Sequence, residues 1–176
     1  MVETNGRNFD LLTLGQVLLR LSPPDNERLS RGDTFVKQVG GAELNVAVGA
    51  ALLGLHTGVI SKLPAHDIGS FMKGKIRSFG VSDDFFMYDQ SSAARVGIYY
   101  YENGAYPRKP KVIYDRNHSS FFSLDIDEIP EEVYTASKCF HTTGITLALN
   151  GDIRETTIET VSYTHLRAHE TRRHLV

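Results

Sequence analysis

From Phe9 to Tyr88 short apolar runs alternate with helix-forming segments, a pattern that commits a chain to layered α/β structure with a mainly parallel sheet. Phe9–Gly15 (FDLLTLG) is an apolar run closed by glycine and reads as a buried first strand. Val17–Ser22 keeps strand character until Pro23-Pro24 stops it, and Thr34–Val39 runs into Gly40-Gly41. Glu43–Leu53 is apolar at most positions, rich in alanine and leucine, and predicts a buried helix that Gly54 ends. Thr57–Leu63 reads as strand, Ile68–Phe79 as a helix closed by Gly80, and Val81–Tyr88 as one further strand.

The middle of the chain breaks this rhythm. Arg95–Glu102 and Lys111–Arg116 are β-rich runs separated by Asn103-Gly104 and a segment between Pro107 and Pro110, which predicts an antiparallel excursion from the α/β core. Ile129–Ser137 then reads as helix, Lys138–Thr143 as strand and Asp152–Thr160 as the start of another helix. The sequence shows no internal repeat.

Composition narrows the function classes. With 41% hydrophobic and 23% charged residues in 176, the chain has the make-up of a globular domain. The net charge of −2 offers no general basic surface for nucleic acid. No apolar run approaches the roughly 20 residues of a membrane span, and Met1–Asp10 is too polar for a signal peptide. Cys139 is the only cysteine, which excludes an intrachain disulfide and agrees with a reducing cytoplasm.

The run Gly40-Gly41-Ala42-Glu43-Leu44-Asn45 carries the first chemical signal. Two glycines at a helix start let a ligand approach the backbone, where unpaired N–H groups favour polar or anionic atoms. Asn45, one turn in, offers an orienting amide. The same dipeptide also serves as a plain strand-to-helix turn, and the Gly-Lys-Ser/Thr ending of a phosphate-gripping loop is absent. Alternation of faces along a strand puts Gly97, Tyr99 and Tyr101 together, and Tyr114 with Arg116 on the partner run. Such a wall can bond hydroxyls and grip a carboxylate through the guanidinium; equally, it can be aromatic cross-strand pairing with a solvated arginine.

These segments resemble the ribokinase-like carbohydrate kinases. Gly40–Ala47 is similar to the first signature region of that family, and Asp67-Ile68-Gly69 to its next helix start, although Pro64 stands where many members carry glycine. Gly97-Ile98-Tyr99 and Val112–Arg116 resemble the substrate-lid segments of 2-keto-3-deoxygluconate kinases, and His141–Ile145 resembles the family's His-x-Ser-Gly-Ile stretch, with Thr143 for serine. The resemblance spans about residues 9–160. It implies a ribokinase-like α/β fold, the N-terminal part of a mainly parallel sheet flanked by helices, with a small β lid drawn from about 17–40 and 95–122. It further implies that Gly41, Asn45, Tyr99, Tyr114, Arg116 and Ile145 contact the sugar, with Arg116 near its carboxylate. Gln16 stands where related kinases often carry glutamate and receives no role.

The resemblance also implies an ATP- and magnesium-dependent enzyme acting on a small sugar acid, without nucleic-acid or membrane partners, and a homo-oligomer formed through the lid. Family members use an aspartate in a Gly-Ala-Gly-Asp-like turn as general base; no such turn occurs here. The expectation is therefore an N-terminal portion with no catalytic residue and no metal ligand of its own, inactive alone. Rival readings are another kinase of the same fold (fructokinase, ribokinase or 5-keto-2-deoxygluconate kinase) and a non-catalytic sugar-binding module.

Composition shifts again at Val161–Val176, which holds Arg167, Arg172, Arg173, Glu170 and three of the seven histidines. His165 and His169 share a helical face as metal ligands often do, but Leu166 occupies the position where a zinc protease needs its glutamate. An exposed polar tail is the plain alternative. The string also resembles a translated sequencing adapter, so residues 161–176 are expected to be a non-native tail without metal.

Overall fold

The computed structural model describes residues 8–149 and 152–173. The chain runs β1 (Phe9–Leu14), β2 (Leu18–Ser22), β3 (Val36–Gly40), α1 (Ala42–Leu52), β4 (Thr57–Pro64), α2 (Asp67–Ser78), β5 (Val81–Ser82), β6 (Phe86–Asp89), β7 (Gly97–Glu102) and β8 (Lys111–Asp115). It continues through two 3-10 turns, Ser120–Ser123 and Ile126–Glu128, into α3 (Val133–Ala136), β9 (Ser137–His141), α4 (Gly144–Leu147) and α5 (Ile153–Arg173).

Two sheets share these strands. The body sheet has the order β5-β4-β1-β9, with β6 pairing the far end of β4, and every pairing in it is parallel. Helices α1 and α2 cover one face, burying Leu44, Ala47, Met72 and Ile76 against Val59 and Leu63. The turns at Phe121 and Leu124, with Val133 and Ile153, cover the other against Leu12, Leu14 and Ile60. Being covered on both faces explains why β1 reads as an apolar run. The lid sheet has the order β3-β2-β7-β8. Its outer pairs are antiparallel, the β7–β8 pair as expected, but its central pair β2–β7 is parallel, since both strands leave the body in the same direction.

Three sequence expectations are corrected. Val81–Tyr88 is not one strand: Asp83-Asp84 turns the chain, and Asp83 instead meets Lys73 at 3.0 Å and Arg77 at 3.7 Å on α2. Ile129–Ser137 keeps helical spacing of its buried Ile129 and Val133, yet only Val133–Ala136 is α-helix, because Ser137 already belongs to β9. Helix α1 is apolar at most positions but buries only one side, leaving Val46 and Leu52 exposed. The compositional break at Val161 is not matched by a break in α5, which is continuous from Ile153 to Arg173. Its buried side carries Ile153, Thr156, Thr157 and Thr160, and the Tyr163 ring lies 5.4 Å from that of Tyr134. The His165 and His169 side chains lie outside the described ones.

Candidate functional site

The site forms where lid meets body, at the carboxyl ends of the body strands. Gly41 precedes α1 with φ +150, a region that favours glycine, and a Cβ there would stand 2.7 Å from the Gln16 carbonyl oxygen. Both conditions demand glycine, so this turn is more than a flexible link. Gly40 is constrained from the lid side, since a Cβ on it would stand 2.5 Å from the Tyr99 hydroxyl. The tyrosine predicted to face the sugar thus lies directly over the Gly-Gly turn.

Register explains how. Tyr99 pairs across the lid with Tyr114, their rings 6.0 Å apart, and with Arg20 on β2. Leu19, Leu21, Val39 and Ile98 point the other way, into the core shared with α1 and α2. The Tyr99 face therefore remains available to a ligand. Burial pushes the Tyr99 hydroxyl's pKa up, with the Arg20 charge opposing, so the hydroxyl stays a proton donor.

Arg116 follows β8 and turns back toward β1. Its Nε–H donates to Gln16 Oε1 at 2.7 Å, and its guanidinium carbon lies 5.8 Å from the centre of the Tyr114 ring. Burial disfavours its charged form, while Tyr114 and Glu43 partly restore it. Gly97 makes room for this pair, because a Cβ there would stand 2.8 Å from Gln16 Nε2 and 3.3 Å from Arg116 Cβ.

The structure brings Gly41, Tyr99, Tyr114 and Arg116 into one group. Asn45 accompanies them on the first turn of α1 but is exposed, and among the described residues no hydrogen bond draws its side chain toward them. Ile145 is half exposed in α4. It is tied in indirectly: its N–H donates to Thr143 Oγ1 at 3.2 Å, whose hydroxyl donates to Glu43 Oε1 at 2.5 Å.

Sequence reasoning missed three residues. Glu43 is 2% exposed, and its Oε1 also accepts from the Thr143 N–H at 3.2 Å and the Thr146 hydroxyl at 2.7 Å, strapping the 143–146 segment to the start of α1. Its carboxylate fits only because residue 15 is glycine, where a Cβ would stand 2.2 Å from Oε2. Gln16, given no role, is 3% exposed and touches both the Gly41 turn and Arg116. Arg20 places its guanidinium carbon 4.3 Å from the centre of the Tyr101 ring, adding a second cation to the tyrosine face. A charged residue within an apolar helix was the available signal for Glu43, and the glutamate that related kinases often carry at position 16 was one for Gln16; Arg20 had none.

Among the described residues no group of three or more His, Cys, Asp or Glu is arranged to hold a metal ion. No helix among them is long and apolar enough to cross a membrane.

Known proteins are similar to this chain in sequence and in fold. The chain is 38% identical over 150 residues to the 2-dehydro-3-deoxygalactonokinase of Haloferax volcanii, covering 85% of this chain and 46% of the relative. It is 30% identical over 149 residues to the 5-dehydro-2-deoxygluconokinase 1 of Bacillus cereus, covering 84% and 44%. The crystal structure of the 2-dehydro-3-deoxygluconokinase of Thermotoga maritima superposes with a TM-score of 0.85 at 34% identity, over 91% of this chain and 48% of that one. The chain thus spans about half the length of the relatives it matches. The model of the pfkB family of carbohydrate kinases matches residues 8–168, and the chain belongs to that family.

Proposed function

We propose that this chain is the sugar-binding half of an ATP-dependent kinase for a 2-keto-3-deoxy sugar acid, 2-keto-3-deoxygluconate before its relatives. The observation that carries the reading is the convergence of Tyr99, Tyr114 and Arg116 over the Gly40-Gly41 turn. A half-buried guanidinium beside two phenols suits a carboxylate flanked by hydroxyls, whereas a neutral sugar gives the charge no partner. The names of the Haloferax and Thermotoga relatives support a substrate of this class.

In this reading the N–H groups of the turn and the Tyr99 hydroxyl orient the sugar, Arg116 fixes its acid end, and Ile145 bounds the pocket. ATP supplies the transferred γ-phosphoryl group, and magnesium balances its charge. The described residues offer no carboxylate cluster for magnesium, and the sequence has no Gly-Ala-Gly-Asp-like turn for the base. Those parts belong to the remaining half of the complete kinase, and residues 1–176 alone are inactive. The composition of residues 161–176 supports reading them as an appended tail. The lid, with β3 and β8 as its edges, is the proposed oligomer contact, and an ATP-consuming enzyme with one exposed thiol suits the cytoplasm.

The test is an ATP-coupled assay of the complete kinase with 2-keto-3-deoxygluconate, its galactonate epimer, 5-keto-2-deoxygluconate and fructose. Arg116→Ala is expected to raise KM for the favoured acid by the equivalent of about 1.5–3 kcal/mol, the worth of a charged hydrogen bond. Fructose as the best substrate, or a KM that ignores Arg116, refutes the acid assignment.

A further inference from the structure

Little apolar burial holds Ile145 in place. Helix α4, which carries it, is a single turn of four residues, too short to sustain itself, and its one buried residue is Thr146. Gly144, Ile145 and Leu147 are all exposed. The Glu43 carboxylate fixes the segment instead. Its Oε1 accepts from the Thr143 N–H at 3.2 Å, the Thr143 hydroxyl at 2.5 Å and the Thr146 hydroxyl at 2.7 Å. The Thr143 hydroxyl works in both directions. It donates its proton to Glu43, and its lone pair caps α4 by accepting the Ile145 N–H at 3.2 Å. One carboxylate oxygen thereby orients the turn at its cap and from within.

Glu43 is itself placed by the opposite wall of the site. It follows Gly41 by two residues, lies on the first turn of α1 and is 2% exposed. Gly15 leaves the space for its carboxylate, since a Cβ there would stand 2.2 Å from Oε2 and 2.6 Å from Cγ. The Gly41 turn and the Ile145 segment are thus joined through one side chain. A bond of the same kind at the other end of the body offers a comparison. Thr57, at the start of β4, donates from its hydroxyl to the Ala47 carbonyl oxygen at 3.1 Å and ties that strand to the middle of α1.

We propose that Glu43 is a positioning residue for sugar binding. Through Thr143 and Thr146 it clamps the Ile145 wall against the Gly41 turn, and so sets affinity for the sugar without a part in phosphoryl transfer. The proposal rests on the sugar-pocket reading of this site and adds to it the bond that closes the pocket.

The experiment compares Thr143→Val, Thr143→Ser, Gly15→Ala and Thr57→Val with the unaltered complete kinase. KM and kcat are measured with the favoured sugar acid and ATP each varied, after thermal melting has shown which variants fold. Thr143→Val keeps the side chain's volume and removes both hydroxyl bonds. The sugar KM should rise roughly tenfold, with kcat and the KM for ATP within about twofold of the unaltered enzyme. Thr143→Ser returns the hydroxyl and should return the sugar KM. Gly15→Ala keeps every hydrogen-bonding group but pushes the carboxylate off its seat, and should reproduce the Thr143→Val pattern. Thr57→Val also loses a buried hydroxyl bond, and should lower the melting temperature while leaving the sugar KM unchanged. Should Thr143→Val and Gly15→Ala both fail to fold, Thr146→Val, which loses a single bond to Glu43, carries the test with a few-fold rise. A sugar KM that stays constant in the folded strap variants, or rises equally in Thr57→Val, overturns the proposal while leaving the pocket reading intact. A Thr143→Ser enzyme no better than Thr143→Val does the same. An unaltered enzyme that turns over none of the sugars overturns both.

Discussion

The parallel body and the lid are built from similar lengths of strand yet live in opposite environments. In the body β4 is buried at every position from Thr57 to Pro64, and Leu12, Leu14 and Ile60 have no exposed surface. In the lid β8 is exposed at every position, with Ile113 43% exposed, and β3 is exposed along most of its length. A sheet covered on both faces draws its stability from apolar burial, while one backed by core on a single side leaves its other face for a ligand. The difference separates labour: the body supplies rigidity, and the lid supplies the tyrosines and arginines.

Cavity mutants give the sharpest contrast. Leu14→Ala in the body should cost about 2–5 kcal/mol, whereas Ile113→Ala in the lid should cost well under about 1 kcal/mol. Urea denaturation of the two variants measures this, and equal losses would dissolve the division.

A smaller effect is expected where the regions touch. Gly41→Ala meets both an unfavourable φ and the Gln16 carbonyl, and should cost about 1–3 kcal/mol. Gly54 also has positive φ, +88, but open space around its Cβ position, so Gly54→Ala isolates the backbone strain alone. Only Gly41→Ala should also weaken sugar binding. Matching losses in stability and binding at both positions would mean that the turn is a link and not part of the pocket.

The smallest effect is acid sensitivity at the lid's base. Burial pushes the Asp89 carboxyl up, but the Ser91 N–H and hydroxyl and the Ser120 hydroxyl outweigh it and hold its pKa below the ordinary 3.8. The folded state therefore binds this proton less readily than the unfolded chain. Its contribution is present above about pH 4 and drains away as pH falls through the native value. Asp89→Asn should flatten the stability profile between about pH 5 and 3, around the ordinary carboxylate range. Tyr99, Tyr100, Tyr101, Tyr106 and Tyr114 lie in the lid and the sequence has no tryptophan, so near-ultraviolet circular dichroism reports mainly on that region. An unaltered profile would remove Asp89 from the lid's support.

What was legible in the sequence follows from the same division. Runs with one dominant physical demand read correctly: β1 and β4 through continuous burial, the Gly-Gly turn through its backbone requirement, and Tyr99 beside Tyr114 through strand alternation. Elements shaped by distant partners did not. Asp83 breaks a strand because α2 offers it two cations, and α3 is cut short by the demands of β9. Gln16 and Glu43 each find their partners about a hundred residues away, Arg116 and Thr143, so no local pattern announces them. Position along the chain is a poor guide to polar contacts of that kind.

The parallel pairing of β2 with β7 has a kinetic consequence. Leu18 lies beside Gly97, and between them in sequence come α1, α2 and β4 to β6. Each flank of the lid is local, β2 with β3 and β7 with β8, and either can close early as a hairpin. Their junction closes a long loop, whose entropy is repaid only once the intervening segments have condensed. The pocket is therefore assembled only after its two hairpins and the segments between them have formed. On the ribosome, the turn at Gly41 emerges well before Arg116, and the proposed sugar pocket cannot form until two separately formed hairpins meet.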